Sequence, residues 1–204
     1  MRVLNLGCGI NRRRLYKEPF PDGTVHLDMN PDVEPDLLWD VNNGLPLMDW
    51  HPRGGLMANT FDEVHAYHLI EHVGAMGDTK VWFAFWRDCW RLLRPGGTMY
   101  VIAPYYLHED AVGDPTHVRL IAPQTFHFLN RAAYLRKDGE PGCAMTKLDI
   151  DFDFCMSNMR FMIRKGETIP CGMQVDLLAR KTADGGLVPE SELPNAQQKV
   201  EVAA

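Results

Sequence analysis

Two glycines and an aspartate are spaced so that they could hold a nucleoside-bearing ligand. Gly7 and Gly9 follow a short apolar segment, and a glycine lets the backbone pass close beneath a ligand because it has no Cβ. Asp28 lies 19 residues after Gly9, at the end of the next apolar segment. A carboxylate there can accept two hydrogen bonds from a ribose diol. The pattern therefore predicts a nucleoside-binding turn.

The continuation of this turn disfavours a dinucleotide such as NAD. The dinucleotide fingerprint requires a third glycine or alanine where helix and strand pack closely, and Arg12 stands at that position. Arg12 begins a run of three arginines, which has two interpretations. It could be a solvated loop, or it could bind a phosphorylated or carboxylated substrate, since arginine forks bind such groups bidentately.

Residues 68–72 read His-Leu-Ile-Glu-His, which matches the inverted zinc-peptidase pattern H-x-x-E-H. That chemistry needs both histidines on one helical turn, a further carboxylate ligand and an activated water. Here the segment follows a predicted strand and runs into glycines at 74 and 77. A long active-site helix is not predicted, and a zinc peptidase is disfavoured.

The densest polar cluster lies at 108–119. A metal could be held by His108, Asp110, Asp114 and His117, but their spacing matches no strong metal template, so we predict no metal site. Asp114 precedes a proline and could simply start a turn. A structural loop and a catalytic role remain equally open, with His117 and Arg119 as the candidate substrate-site residues.

Apolar periodicity predicts strands alternating with helical connections. Strands are predicted at 3–6, 24–28, 37–39, 61–67 and 98–103, and two closing strands at 152–163 and 173–180. The clearest helix spans 78–94, with a capping aspartate, tryptophans every four residues on its apolar face, and a Pro-Gly-Gly stop. A second helix is predicted at 123–136. Ligands bind such sheets outside the carboxyl ends of the strands.

Length and composition indicate one domain. The chain has 204 residues, of which 46% are hydrophobic and 24% charged, and its formal net charge of −6 argues against wrapping of a nucleic-acid backbone. Five scattered cysteines without a C-x-x-C pair predict a reduced, cytoplasmic protein, and no membrane span or signal peptide is predicted. We expect one domain at 1–180, with a substrate-side insertion at 105–150 and a flexible tail at 181–204.

Taken together, these motifs resemble the class I S-adenosylmethionine (SAM)-dependent methyltransferases. The resemblance covers residues 2–104 and rests on the order and spacing of the turn at 4–9, Asp28, Asp40 and the segments 61–64, 68–72 and 92–97. It implies an α/β, Rossmann-like, doubly wound sheet of seven strands, mostly parallel, with the last two forming an antiparallel hairpin and helices on both faces. Because the first connections are short, one helical layer is expected to be thin, leaving an apolar surface for a partner or a second copy.

The resemblance also implies roles for individual residues. The implied cofactor-binding residues are Asn5, Gly7, Cys8, Gly9, Asp28, Met29, Asp40, Val41 and His68. The candidate substrate-binding residues are Arg12, Tyr105, His108, Asp114, His117 and Arg119. The family often carries an acidic residue at position 5 and a third glycine at position 11, and this chain has asparagine at both.

The implied activity is methyl transfer from SAM to a small or medium-sized acceptor. His117, and then His68, are the candidate general bases, since an imidazole accepts protons near neutral pH. Two alternatives remain: a binding module that has lost catalysis, and an enzyme that modifies nucleotides or nucleic acid through the arginine run. The overall acidity disfavours nucleic acid.

Overall fold

A computed structural model describes residues 1–10, 12–15, 18–47, 55–134 and 150–193. Its main sheet has seven strands in the order β5-β4-β1-β6-β7-β9-β8. They are β1 (Val3–Leu6), β4 (Val25–Asp28), β5 (Leu37–Leu38), β6 (Phe61–Tyr67), β7 (Leu93–Pro104), β8 (Phe154–Met162) and β9 (Gly172–Ala179). The first five strands are parallel to one another, and β9 pairs antiparallel with both β7 and β8. The predicted sheet and its terminal hairpin are confirmed.

Helix α1 (Thr79–Leu92) covers one face of this sheet. The Asp78 side chain caps it by accepting the backbone N–H groups of Lys80 and Val81, as the sequence predicts. Its end differs slightly from the prediction, because the chain passes into β7 at Leu93. Trp86 is fully buried and lies edge-on to Phe126 and Phe154, with ring centroids 6.2 and 6.1 Å away. The tryptophan stripe is therefore core.

The other face of the sheet differs from the prediction of helices on both faces. In the described residues, the connection from β1 to β4 is not a helix but a short antiparallel hairpin of β2 (Arg13–Arg14) and β3 (Glu18–Pro19). Phe20, just after it, lies edge-on to His65 of β6 at 5.0 Å. The hairpin therefore covers part of this face.

The hairpin-bearing face is polar, which corrects the expected apolar docking surface. Strand register aligns one polar side chain on each of six neighbouring strands, here called the polar row: His26, Asn5, His65, Tyr100, Asp176 and Asn158. Neighbours in the row contact each other. The His65 and Tyr100 rings stack at 4.9 Å, and Asn158 Nδ2 donates to Asp176 Oδ2 at 2.9 Å.

The region after β7 is less helical than predicted. It contains α2 (Glu109–Gly113), a 3₁₀ helix (Pro123–Leu129) and α3 (Arg131–Tyr134), where a single helix at 123–136 is predicted. Asn130 interrupts this helix with an extended backbone conformation, φ −106° and ψ 110°. Residues 135–149 of the predicted insertion lie outside the described residues. No helix in the described part of the chain is long and apolar enough to cross a bilayer.

The first part of the predicted tail packs on the domain. Leu193 is buried and Leu187 packs against the core. Lys181 Nζ lies 4.2 Å from the Trp90 ring centroid and donates to the Leu93 carbonyl at 2.6 Å. A segment of small and polar residues thus contributes to the core through its few leucines. Residues 194–204 lie outside the described residues.

Asp153→Ala is expected to destabilise the protein by about 3–5 kcal/mol, because it would leave the guanidinium of Arg180 without its buried partner. Asp153 is fully buried, and its Oδ1 accepts Arg180 Nη2 at 2.8 Å and the Arg131 N–H at 2.9 Å. Urea unfolding measures the free-energy difference. The matched control is Asp151→Ala, whose carboxylate is 55% exposed in its pair with Arg87 and should contribute about 0–1 kcal/mol. Equal losses in both variants would contradict the prediction.

Candidate active site

The turn after β1 packs against the segment after β6 at the carboxyl edge of the sheet. Gly7 and Gly9 have φ values of 61° and 50°, in the left-handed region that favours glycine. A Cβ on Gly7 would lie 2.9 Å from Leu69 Cδ1, so the backbone approaches Leu69 closely only because position 7 is glycine. The two turns are thus neighbours, as parallel strands require.

Asp28 links this turn to the end of β4. Its Oδ2 accepts the Gly9 N–H and its Oδ1 accepts the Asn30 N–H, both at 2.9 Å. Each carboxylate oxygen can accept a further hydrogen bond. The space beside Gly9 is open, since no heavy atom of the described residues, its chain neighbours aside, lies within 4 Å of where its Cβ would be, and Met29 is 66% exposed. This part of the edge therefore offers a hydrogen-bond acceptor, an unobstructed backbone and an exposed apolar side chain.

The remaining predicted cofactor residues divide into edge and interior positions. Asp40 follows β5 and accepts the Asn42 N–H at 2.9 Å, and Val41 is buried behind it. Cys8 is buried, its N–H donates to the Leu27 carbonyl, and burial raises the pKa of its thiol, with a further increase from Asp28.

Asn5 lies in the interior rather than at the edge. It is buried, and its Nδ2 is 3.2 Å from His26 Nδ1 on the neighbouring strand. Its position in the polar row therefore differs from the direct cofactor contact that the resemblance implies. Asn11, the other departure from the family pattern, lies outside the described residues.

His68 is the exposed imidazole of the edge. It adopts a left-handed conformation with φ 50°, uncommon for a non-glycine residue, and its N–H donates to the Ile102 carbonyl of β7 at 2.7 Å. Its side chain is 48% exposed, and its Nδ1 lies 3.4 Å from Glu71 Oε1. This places the ring beside Leu69 and the glycine turn.

An open cleft of about 690 Å³, here called the edge cleft, begins at His68. It is lined chiefly by His68, Pro104, Glu109, Asp110, Asp114 and His117. Three of these side chains are acidic. Hydrogen bonds from the side chain and backbone of Thr116 lower the pKa of Asp114. Asp110 is paired with Arg164, so the negative charge of the cleft wall comes from Glu109 and Asp114. Asp114 and His117 line the same cleft as His68.

Arg12 and Arg14 of the arginine run are bound by other residues of the chain. Arg12 Nη2 donates to the carbonyls of Val33 and, at 2.7 Å, Glu34. Arg14 pairs with Glu63 across the sheet face, its Nε 2.9 Å from Oε2. The guanidinium of Arg12 therefore stabilises the loop after β4 in this structure, and its predicted substrate role stays a prediction.

Arg119 also stabilises a loop in this structure, and its predicted substrate role stays a prediction. Its Nη2 donates to the carbonyls of Ala75 and Asp78 at 3.0 and 3.1 Å. The guanidinium lies 4.2 Å from the Trp82 ring centroid, and burial lowers the pKa of Arg119. It fixes the loop after α2 to the start of α1.

His108 and Tyr105 contact the β8–β9 hairpin and not the edge cleft. His108 is buried, with Nε2 3.2 Å from Glu167 Oε2 and Nδ1 accepting the Asp110 N–H. Tyr105 packs edge-on against Phe161 at 5.3 Å. Both side chains therefore have structural contacts in this structure, and their predicted substrate roles stay predictions. In the described residues, His108 is not among the side chains grouped with His117.

Two clusters of polar side chains were not predicted from the sequence. The first is a buried hydrogen-bonded chain on β6: Glu63 Oε2 lies 2.9 Å from His65 Nε2, and His65 Nδ1 contacts the Tyr67 hydroxyl. Burial lowers the pKa of His65. Polar residues at alternate positions of a strand are the signal that could have revealed it. The second is the meeting of Glu71 and His72 with His117, for which the sequence gives no spacing signal.

Comparisons with known proteins relate the chain to methyltransferase structures. No protein-family model and no curated sequence matches it. N-methyltransferase NodS from Bradyrhizobium japonicum superposes with a TM-score of 0.52 at 11% identity, covering 88% of this chain and 86% of the other. The YcgJ protein from Bacillus subtilis gives 0.51 at 15% identity, covering 89% and 92%. The 1,6-didemethyltoxoflavin-N1-methyltransferase from Burkholderia thailandensis, solved with S-adenosylhomocysteine, gives 0.51 at 12% identity, covering 88% and 71%.

The strand order and these similarities support the same conclusion. Five strands parallel to their neighbours followed by an antiparallel pair, with the glycine turn at the end of β1, are the arrangement that the sequence resemblance predicts. The chain has the fold of the class I SAM-dependent methyltransferases.

Proposed function

We propose that the protein is a SAM-dependent methyltransferase acting on a small or medium-sized acceptor. The observation that carries the proposal is the Gly9–Asp28 hydrogen bond at the carboxyl edge of this fold, beside open space. It supplies a carboxylate with remaining acceptor capacity at the edge where sheets of this kind bind ligands.

The residues at the edge fit the cofactor. The backbone of Gly7 and Gly9 would lie beneath its methionine part, and Asp28 would accept the ribose hydroxyls. Met29 and Asp40, with Val41 behind them, would border the adenine. When bound, SAM supplies a methyl group already activated by its sulfonium.

The chain itself must position the acceptor and receive its proton. The edge cleft extends from His68 to His117 and can hold an acceptor next to the glycine turn. Holding the acceptor in line with the methyl donor lowers the entropic cost of bringing the two together. Of the two candidate bases, His68 has the more exposed imidazole, and His117 is mostly buried. We assign proton acceptance to His68.

The charge of the edge cleft favours neutral or cationic acceptors. Asp110 is paired with Arg164, but Glu109 and Asp114 also line the cleft, and an anion would meet their carboxylates. The arginines that could have attracted a phosphate are bound elsewhere, which argues against the nucleotide and nucleic-acid alternative. The NodS and Burkholderia enzymes are named as N-methyltransferases, and an amine acceptor is compatible with an acidic cleft.

A catalytically inactive binding module is the second candidate. The observation that favours it is the engagement of Asn5 with His26, which removes one polar contact implied for the cofactor. Such a module would bind SAM without producing S-adenosylhomocysteine with any acceptor.

Asp28→Ala is expected to weaken SAM binding by about 10–100-fold, since it removes hydrogen bonds to a charged acceptor worth about 1.5–3 kcal/mol. Isothermal titration with SAM and with S-adenosylhomocysteine measures this. Asp32→Ala is the control, because Asp32 lies exposed in the adjacent turn and only its backbone N–H bonds to Asn30. Failure of the native protein to bind either ligand would leave the fold without this function.

Gly9→Ala is expected to weaken SAM binding strongly, because the new methyl group would occupy the open space beside the turn. The substitution also imposes backbone strain of about 1–2 kcal/mol. Gly166→Ala separates the two effects, since Gly166 has φ 89°, equally open surroundings and a place at the β8–β9 hairpin tip. Both variants should lose similar stability in urea, and only Gly9→Ala should lose affinity. Equal affinity losses would contradict the assignment.

A further inference from the structure

Glu71 is a buried carboxylate without a hydrogen-bond donor in the described structure. It is 1% exposed, and neither Oε1 nor Oε2 accepts a hydrogen bond. The contact with His68 Nδ1 at 3.4 Å is an ion-pair distance outside hydrogen-bond geometry. Burying a carboxylate that accepts no hydrogen bond is costly, and a bound cation would offset that cost.

Two histidines beside Glu71 have their ring nitrogens arranged for metal binding. His72 Nδ1 lies 3.1 Å from the Thr116 carbonyl, and His117 Nδ1 lies 3.2 Å from the Ala111 carbonyl. A carbonyl only accepts, so each Nδ1 carries the proton and donates it. Each Nε2 is left with a lone pair. Metal-binding histidines characteristically donate their second ring N–H in this way, which fixes the tautomer and orients the ring.

The three side chains lie close together in the fold. One potential ligand atom from each of Glu71, His72 and His117 lies within 4.8 Å of the others, and the two imidazole centroids are 4.8 Å apart. The Val118 N–H donates to the Glu71 carbonyl at 2.9 Å, which holds the two segments together. Ligands of a tetrahedral zinc ion lie about 3.3 Å apart, given metal–ligand bonds of about 2.0–2.1 Å. The ligand atoms would therefore move closer together when the ion binds, through rotation of their side chains.

We propose that Glu71, His72 and His117 form a binding site for a divalent first-row transition metal, of which Zn²⁺ is the best match. Two imidazoles and one carboxylate are a donor set that zinc uses when it keeps an open coordination position. Mg²⁺ prefers an all-oxygen set and is disfavoured. His117 also lines the edge cleft, so the open position would be reached from there. In this site His117 is a ligand and does not accept the acceptor's proton.

The inference goes beyond the proposed function, because metal binding requires neither SAM nor an acceptor. A chain that binds Zn²⁺ but not SAM would retain the metal site and lose the methyltransferase assignment. A chain that binds SAM but not Zn²⁺ would do the reverse. The two proposals therefore fail independently.

Isothermal titration of the full, chelator-treated chain with Zn²⁺ tests the site. We expect one Zn²⁺ per chain, at least tenfold weaker binding in Glu71→Gln and in His72→Asn, and no saturable binding of Mg²⁺. His127→Asn is the matched control, since it removes an exposed imidazole that is not part of the cluster. No saturable Zn²⁺ binding, unchanged affinity in Glu71→Gln, or an equal loss in His127→Asn would overturn the proposal.

Thermal unfolding provides a readout that a purely structural glutamate would not produce. Without metal, Glu71→Gln should be at least as stable as the native chain, because it removes an unpaired buried charge and keeps the side-chain shape. Added Zn²⁺ should raise the midpoint of the native chain and of His127→Asn, and leave that of Glu71→Gln unchanged. An equal rise in all three proteins would contradict the site.

Discussion

The burial of the aromatic stripe of α1 against one face of the sheet is the interaction on which the rest of the structure depends. Trp86 and Phe85 are almost completely buried, and Trp86 touches aromatic rings from the 3₁₀ helix at Pro123–Leu129 and from β8. Burying a large apolar side chain contributes about 1.5–3 kcal/mol. Since α1 connects β6 to β7, this packing also fixes two central strands whose carboxyl ends form the candidate site.

Several polar residues of the site also stabilise the turns that carry them. Asp28 holds the glycine turn and the start of the next loop, Asp40 and Asp114 each accept the N–H two residues further on, and Gly7 makes room for Leu69. Loops at the edge of a parallel sheet have few backbone partners, so side chains must satisfy their N–H groups. Loss of ligand binding in a variant therefore has to be compared with loss of stability, which is why Gly9→Ala is paired with a glycine substitution of similar backbone strain.

The elements that the sequence predicts well are those whose signals are local or periodic. The seven strands, α1 with its cap, and the pairing of the glycine turn with Asp28 follow from spacing of two, three or four residues and from glycine conformation. The hydrogen-bond partners of long side chains are less predictable from the sequence. Arg12, His108 and Arg119 each looked available for a ligand, and each is bound by a carbonyl or carboxylate distant in sequence. Which partner a flexible side chain finds depends on the tertiary arrangement, and the same holds for the meeting of Glu71 with His117.

The polar row has a consequence for the alignment of the strands. Side chains alternate between the two faces of a sheet, so a slip of one residue in any of its six strands would exchange them. An imidazole, amide or carboxylate would then enter the aromatic core beneath α1, and a leucine, valine or methionine from the same strand would replace it among the polar groups. On a sheet with α1 on one face and a short hairpin on part of the other, this difference between the faces makes a pairing shifted by one residue unfavourable. The row thus specifies which side chains of each strand face α1, independently of any ligand.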